Sequence, residues 1–249
     1  MTIRGLLAQS LPPSEIIVSL NSKKTTPFRE SLESLYPDII FVEASEKLGN
    51  VSYARNMAAK NSRSDFILFI DDDTVIGKTT FMHSIFEHSS SFDFSCGAKR
   101  YWLQPNWGSE IAELDPVSHT MMVMKKLSIE PINLDRKTNR QKLSNFSFIG
   151  NLGVVSKQAF SSVGGFDENF NGWGYEDADL MQALFSKGQR FHLMAEHGVY
   201  CFHLSHSTDK SQVHRNIDLY KEKCRQRGRT FRLNHLLGVF EGDGYKAST

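Results

Sequence analysis

The sequence predicts an α/β domain built on a mostly parallel sheet that helices cover on both faces. Short apolar segments, EIIVSL, DIIFVEA and FILFI, alternate with helical segments along the first hundred residues. Nearly continuous apolar strands separated by helices are typical of a parallel sheet buried on both sides. The length of 249 residues suits one large domain of this class or two small ones.

The individual elements follow from local signals. Pro12 and Pro13 end a first helix, Pro27 stands in the first turn of a second, and Asn50 is a helix cap. Gly188 ends a helix that begins with acidic residues. The predicted helices are 2–10, 27–36, 51–62, 79–88, 176–188 and 211–226. The predicted strands are 15–20, 38–44, 66–70, 92–98 and 146–156. Residues 102–145 are predicted to be long loops with one helix around 117–127.

Composition narrows the classes of function. A formal net charge of +1 at pH 7 gives no indication of nucleic-acid binding. Three widely spaced cysteines favour free thiols in a reducing compartment over a disulfide framework. No apolar run approaches the ~18 residues of a membrane span, and no secretory signal is apparent. We therefore expect a cytoplasmic protein. Its basic segment 210–232 is either a solvated helix face or a contact for a diphosphate, an anionic acceptor or a membrane surface.

Three aspartates end the most hydrophobic stretch, FILFIDDD, at residues 66–73. Ligands of parallel α/β sheets bind beyond the carboxyl ends of the strands. Adjacent carboxylates repel each other, and a divalent cation turns that repulsion into binding. Hard oxygen ligands select Mg²⁺ or Mn²⁺, which commonly also hold a substrate phosphate. The alternative is a solvated loop or helix cap, for which one aspartate would suffice.

A second acidic group lies in the segment GGFDENFNGWGYEDADL, residues 164–180. Gly172 and Gly174 flank Trp173, an indole suited to stack on a sugar ring. Glu176 and Asp177 follow at the start of a helix, where acids can also serve only to complement the helix dipole. Asp177 is the candidate general base for an acceptor hydroxyl, whereas we expect Asp179 only to complement the dipole.

Both segments together resemble a GT-A fold glycosyltransferase. ARNMAAKNSRSDFILFIDDD is similar to the family-2 pattern that leads to the DxD motif. FIGNLGVVSKQAFSSVGGFDENFNGWGYEDADLMQALFSKG resembles the C-terminal segment of β-1,4-galactosyltransferases. The resemblance covers about residues 5–205. It implies a Rossmann-like three-layer sandwich with a mixed central sheet. It also implies metal-dependent, inverting transfer of a hexose from a nucleotide-diphosphate sugar, with a UDP-sugar as the first choice.

The resemblance also implies roles for single residues. Asp73 binds Mn²⁺ or Mg²⁺, and Asp71 or Asp72 lies near the metal or the nucleotide ribose. Asp177 is the base, and Glu176 beside it holds sugar hydroxyls. Trp173 with its flanking glycines lines the sugar site, and Arg55 lies near the donor diphosphate. His203, or alternatively His206, completes the metal shell. In this scheme residues 1–100 bind the nucleotide sugar, 101–206 hold the acceptor and catalytic residues, and 207–249 form a basic helix and tail.

Two features depart from the family pattern. The family begins with a strand that lines the nucleobase, and no such strand precedes the first helix here. The next strand ends Ser19-Leu20-Asn21-Ser22, without the acids expected there. Either the donor base is bound in another way, or the sequence starts after that strand.

Several alternatives stay open on the sequence alone. The chain could be a degenerate GT-A binding or scaffold protein. The aspartate run also fits a haloacid dehalogenase-type phosphatase, although the later acidic motif of that family is incomplete here. Tyr101, Trp102 and Trp107 either line an acceptor site above the 102–145 loops or fill the core.

Overall fold

The computed structural model describes residues 2–21, 26–77, 80–103, 147–204 and 209–229. The helix expected around 117–127, the residues Trp107 and His206 and the side chain of Trp102 lie outside these descriptions. The chain forms two compact units. The first contains Met1–Pro13, Leu68–Val154 and Arg190–Ser207, and the second contains Ser14–Ile67, Val155–Gln189 and Thr208–Thr249.

The described residues form α-helices that alternate with strands, as the sequence pattern predicts. The helices are α1 (Thr2–Leu7), α2 (Thr26–Leu35), α3 (Val51–Asn61), α4 (Phe81–His88), α5 (Ile149–Leu152), α6 (Lys157–Ser162), α7 (Glu176–Ser186) and α8 (Val213–Gln226). The strands are β1 (Ile17–Leu20), β2 (Ile40–Glu43), β3 (Phe66–Ile70), β4 (Thr74–Ile76), β5 (Phe94–Cys96), β6 (Lys99–Leu103), β7 (Gly153–Ser156), β8 (Phe191–Leu193) and β9 (Tyr200–Leu204).

The strands form parallel and antiparallel pairs, which confirms the predicted mixed α/β class. One sheet has the order β3-β7-β5-β8, a second β4-β9-β6, and a third pairs β1 with β2. The pairs β1–β2, β5–β8 and β6–β9 are parallel, and β4–β9 is antiparallel. Because β4 follows the aspartate run directly, its pairing with β9 decides what lies beside those aspartates.

In the first unit, α1 is attached to the chain around the aspartate run. The hydroxyl oxygen of Thr2 lies 2.7 Å from the carbonyl oxygen of Asp72 and 2.8 Å from that of Thr74. Gly5 faces Val75 of β4, where an added Cβ would lie 4.0 Å from the valine side chain. The first helix therefore supports the backbone that carries the three carboxylates.

In the second unit, α3 is fixed at its start and along one face. The side chain of Asn50 accepts a hydrogen bond from the N–H of Tyr53 at 2.8 Å, which confirms the predicted cap. Asn56 pairs its amide with both backbone groups of Phe166, each at 2.9 Å. Asn21, where the family pattern has acids, instead bonds the carbonyl of Asn50 and the N–H of Gly49. These contacts hold α3 against the segment that precedes α7.

The strand predicted over 146–156 is wrong in its first half. A turn of helix, α5, comes before β7. The side-chain oxygen of Asn151 accepts a hydrogen bond from the N–H of Phe148 at 2.7 Å and closes this turn. Gly153 permits it, because a Cβ there would lie only 2.5 Å from the Cα of Ile149. An apolar run alone does not distinguish this turn from a strand.

None of the three cysteines, which all lie in the described part of the chain, forms a disulfide, and all three are buried, as the sequence predicts. Tyr101 of β6 lies with its ring centroid 6.0 Å from that of Phe202 and 6.2 Å from that of Tyr200. This aromatic packing is consistent with the core alternative for Tyr101. Among the described helices, none has the length and apolar character that crossing a bilayer requires.

Glu15 stabilises the second unit in a pH-dependent way. Burial raises its pKa, but donors of Ser62, Arg63 and Ser64 outweigh this and lower it from 4.5 to about 2. A lowered pKa means that the stabilisation is complete above pH 4.5 and is lost as pH falls towards 2. We expect Glu15→Gln to lower the free energy of unfolding by about 1 kcal/mol at pH 7, a figure discounted for partial exposure.

Denaturant titration of both proteins at pH 7 and at pH 2.5 to 3 measures this difference. The gap should narrow at the lower pH, because protonated glutamate loses the advantage of its charge. A gap that is the same at both pH values would contradict the assigned role of the carboxylate.

Candidate active site

Asp71, Asp73 and His203 form a group of potential metal ligands within the first unit. One ligand atom from each lies within 4.8 Å of the others. The Nε2 atom of His203 lies 3.4 Å from Oδ1 of Asp73. His203 is buried, and both aspartates are half-buried. The aspartate run and His203 therefore lie close enough together to bind one ion, as predicted.

Backbone hydrogen bonds around β3, β4 and β9 hold this group in place. Asp71 donates its N–H to the carbonyl of Asn151 at 3.2 Å, and its own carbonyl accepts the N–H of Thr74 at 3.1 Å. The carbonyl of Asp73 accepts the N–H of Leu204 at 3.0 Å. In the β4–β9 pairing Thr74 lies opposite His203. This register brings the imidazole beside the second aspartate of the pair.

The two ring nitrogens of His203 have different neighbours, and Nε2 is the one that lies beside Asp73. Its Nδ1 atom lies 2.9 Å from the carbonyl oxygen of Leu204. A carbonyl only accepts, so Nδ1 is the nitrogen that donates here, and Nε2 is the nitrogen that the neutral imidazole could offer to a metal. A metal-bound histidine commonly donates its other N–H to a carbonyl in this way. Two carboxylates with one imidazole therefore fit a divalent cation.

The nearest thiol does not add a soft ligand. Cys201 lies on β9, two residues before His203, and is fully buried. Burial raises its pKa to about 12; Arg100 opposes this rise, and Asp71 adds to it. The Cys201 thiol is also not part of the three-residue group of potential ligands. The ligand atoms of the group are carboxylate oxygens, which suit Mn²⁺ or Mg²⁺, and one imidazole nitrogen.

Asp72 differs from its two neighbours. Its side chain is exposed, and it is not part of the three-residue group. Its carbonyl is the part that contacts Thr2. The structure thus distinguishes Asp72 from Asp71 and Asp73, which the sequence alone could not do.

Glu176 and Asp177 form the second group, which lies within the second unit at the start of α7. The guanidinium of Arg55, on α3, lies 3.1 Å from a carboxylate oxygen of Glu176 and 3.6 Å from one of Asp177. It also lies over the ring of Phe166, 5.2 Å from the centroid. The structure therefore brings together three residues that the sequence analysis named separately.

This ion pair is shielded from water. The side chains of Arg55 and Glu176 are only 12% and 11% exposed. Removing one partner of such a buried pair typically costs ~3–5 kcal/mol, because the other charge is left uncompensated. The contact that Arg55 makes with Glu176 and Asp177 is therefore a largely buried ion pair that fixes two carboxylates, and not a surface salt bridge.

The Gly-Trp-Gly segment precedes these carboxylates in an unusual backbone conformation. Gly172 and Gly174 have φ angles of 70° and 102°, and Tyr175 has a φ of 77°. Among the described residues, Tyr175 is the single non-glycine residue with positive φ. A left-handed tyrosine costs of order 1 kcal/mol or more and persists only where its surroundings impose it. Trp173 is 47% exposed and so is accessible to a ligand.

Asp179 has a different role from the predicted one. It is buried, and a carboxylate oxygen lies 2.6 Å from the guanidinium of Arg227, beyond the end of α8. Lys223 of α8 pairs with Asp167 in the same way. Burial raises the pKa of Asp167, but hydrogen bonds from Lys223 and Asn169 outweigh this and lower it. Two charges of the basic segment therefore hold α8 in place.

Sequence reasoning missed Asn216, which is fully buried on α8. Its amide donates to the carbonyls of Asn171 and Trp173, at 3.0 and 3.2 Å. An asparagine amid the polar residues of a basic helix gives no sequence signal. The position on the buried face, between Val213 and Tyr220, is the one hint that was present.

Two family models match the chain. The model described as glycosyl transferase family 2 matches residues 1–163. The model described as the N-terminal domain of galactosyltransferase matches residues 132–207. No match is found among curated proteins. The first model covers more than half of the chain, and the second includes the Gly-Trp-Gly segment and His203.

Solved structures with a similar fold are glycosyltransferases at low sequence identity. A mannosyltransferase from Pyrobaculum calidifontis, in complex with GDP-Man and Mn²⁺, has a TM-score of 0.52 at 15% identity. TarS from S. aureus (residues 1–349), in complex with UDP, has a TM-score of 0.55 at 15% identity. Both alignments cover 96% of this chain, but only 58% and 65% of those chains. The likeness confirms the GT-A fold class.

Replacement of a metal ligand should weaken cation binding by the first unit. We expect Asp73→Asn and His203→Gln each to weaken Mn²⁺ binding about tenfold or more, because each removes one ligand atom. Titration with MnCl₂ alone, followed by electron paramagnetic resonance of free Mn²⁺, measures the affinity. Asp72→Asn is the matched control, since it removes an adjacent charge outside the group. Equal weakening in all three variants would indicate attraction by charge without this coordination.

Proposed function

Because this chain belongs to glycosyltransferase family 2, we propose that it transfers a sugar from a nucleotide-diphosphate sugar to an acceptor hydroxyl. We propose that the reaction depends on a divalent metal ion and inverts the anomeric carbon. The observation that carries the proposal is the group formed by Asp71, Asp73 and the Nε2 atom of His203. Family membership disfavours the haloacid dehalogenase-type phosphatase, whose aspartate is a nucleophile on a different kind of site.

Asp71, Asp73 and His203 are the residues that would hold the ion, either Mn²⁺ or Mg²⁺. Bound there, the cation would neutralise charge that develops on the departing diphosphate. In this proposal Asp72, which is exposed, contacts the nucleotide ribose. Arg55 keeps its contact with Glu176 and Asp177 and lies near the donor diphosphate. A UDP-sugar is the first candidate donor.

Asp177 is the proposed general base. The acceptor oxygen attacks the anomeric carbon from the side opposite the leaving group, and the carbon–oxygen bond to the diphosphate breaks. The diphosphate leaves with the bonding electrons, and the acceptor proton passes to the carboxylate of Asp177. Glu176 holds sugar hydroxyls, and Trp173 with Gly172 and Gly174 lines the sugar site. The exposed indole and the two left-handed glycines support this assignment.

We further propose that the reaction takes place in the cytoplasm. The buried cysteines Cys96, Cys201 and Cys224, none of which forms a disulfide, are consistent with a reducing compartment. A carbohydrate or another hydroxyl compound is the proposed acceptor.

Release of nucleoside diphosphate from a donor panel tests the activity and names the donor. The protein is incubated with Mn²⁺ and UDP-, GDP- or dTDP-sugars, with and without candidate acceptors. We expect release from one donor, and expect it to be lost in Asp73→Ala and without metal. If no donor reacts and calorimetry shows no metal-dependent nucleotide binding, the enzyme proposal is wrong and the degenerate binding protein is favoured.

Removal of the base should affect turnover without affecting metal binding. We expect Asp177→Asn to lower kcat about 10²–10⁴-fold, because the amide cannot accept the acceptor proton. Mn²⁺ affinity should stay at the wild-type value. Asp218→Asn, on the exposed face of α8, is the matched control and should retain activity. Full activity in Asp177→Asn would rule out this residue as the base.

A further inference from the structure

We propose that α8 is a clamp that sets the position of Trp173, with Asn216 as its central positioning residue. The inference rests on the proposed function, since it concerns how the sugar-binding indole is presented. The two family models end at residues 163 and 207, before α8 begins at Val213. The matched ranges of the two family models therefore do not include this helix.

The first contact of the clamp is a pair of hydrogen bonds to the loop backbone. The side-chain amide of Asn216 donates one hydrogen to the carbonyl of Asn171 and the other to that of Trp173. These carbonyls lie on either side of Gly172, whose backbone is left-handed. One rigid amide thus fixes the spacing of two carbonyls across the most adaptable residue of the loop. Asn216 is fully buried, so water does not compete for these bonds.

The second contact is apolar packing against the residue after the loop. The ring of Tyr220 on α8 lies 5.4 Å from the ring of Tyr175, centroid to centroid. Both tyrosines belong to a buried cluster with Phe170, Ala178 and Cys224. Tyr175 is the residue that holds a left-handed conformation immediately before Glu176. Packing from α8 therefore stabilises the left-handed conformation of Tyr175, the residue that connects the loop to α7.

A third contact orients the indole itself. The ammonium of Lys210, just before α8, lies over the ring of Trp173, 5.3 Å from the centroid. An added Cβ at Gly172 would lie 3.2 Å from the side chain of Gln212, so the loop follows the start of α8 closely. A sugar that stacks on Trp173 would meet an indole whose backbone and one ring face are already held. Such preorganisation lowers the entropic cost of binding.

Tryptophan fluorescence tests the clamp without any assay of transfer. Replacing Trp102 and Trp107 by phenylalanine leaves Trp173 as the single indole of the three. In this background we expect Asn216→Ala to raise the acrylamide quenching constant about twofold and to shift the emission, because the loop opens locally. Val42→Ala, a cavity variant in β2 of the same unit, is the control for lost stability and should change neither signal.

Activity in the chain with all three tryptophans then shows whether the clamp serves the sugar site. We expect Asn216→Ala to lower kcat/KM about tenfold or more through misplacement of Trp173, with Mn²⁺ affinity unchanged. In a Trp173→Ala background the same substitution should have almost no further effect, because both act through one contact. Asn216→Asp, which keeps the shape but loses both donors, should behave like Asn216→Ala.

The outcomes separate the clamp from the enzyme proposal. Unchanged quenching in Asn216→Ala, or losses that multiply with those of Trp173→Ala, would overturn the clamp. A wild-type protein with neither release from any donor nor metal-dependent nucleotide binding would overturn the proposed function, while the quenching data would still decide whether α8 positions Trp173.

Discussion

Repulsion between the carboxylates of Asp71 and Asp73 is the constraint on which the arrangement of the first unit depends. One ligand atom of each lies within 4.8 Å of the other, and like charges at such a distance repel each other unless positive charge lies nearby. The backbone nevertheless fixes both residues, through bonds to Asn151, Thr74 and Leu204. A fold that holds two acids together in this way is suited to bind a cation.

In the second unit, the carboxylates form ion pairs with arginine and lysine side chains. The guanidinium of Arg55, on α3, pairs with the carboxylates of Glu176 and Asp177 at the start of α7. Arg227 and Lys223 do the same for Asp179 and Asp167. These partners are arginine and lysine side chains, and an imidazole, that of His203, lies beside Asp73. The two groups therefore differ: the first has the ligand atoms that a divalent cation needs, whereas the second fixes its carboxylates through ion pairs with side chains of the same unit.

Much of the fold follows from local sequence. Pro27, Asn50 and Gly188 mark helix ends that the structure has within a residue or two, and FILFI is a strand of the predicted length. The predictions of secondary structure that were wrong also have local causes. The turn at Ile149–Leu152 is formed by one side-chain bond from Asn151, and an apolar run contains no sign of it. The short strand β4 was missed because three residues are too few for a period to be recognised.

The sequence by itself determined the chemistry of the candidate site. It showed carboxylates directly after a buried strand and, in another segment, carboxylates at the start of a helix that follows an indole between two glycines. Each of these groups consists of residues that are neighbours along the chain, so a local pattern reveals it. Only the tertiary structure decided which partners they meet. The register of β4 with β9 selects His203, and the packing of α3 selects Arg55 for Glu176 and Asp177. Asn216 reaches the Trp173 loop from 43 residues away. Contacts between distant segments depend on how whole elements pack, and no local pattern in the sequence encodes that choice.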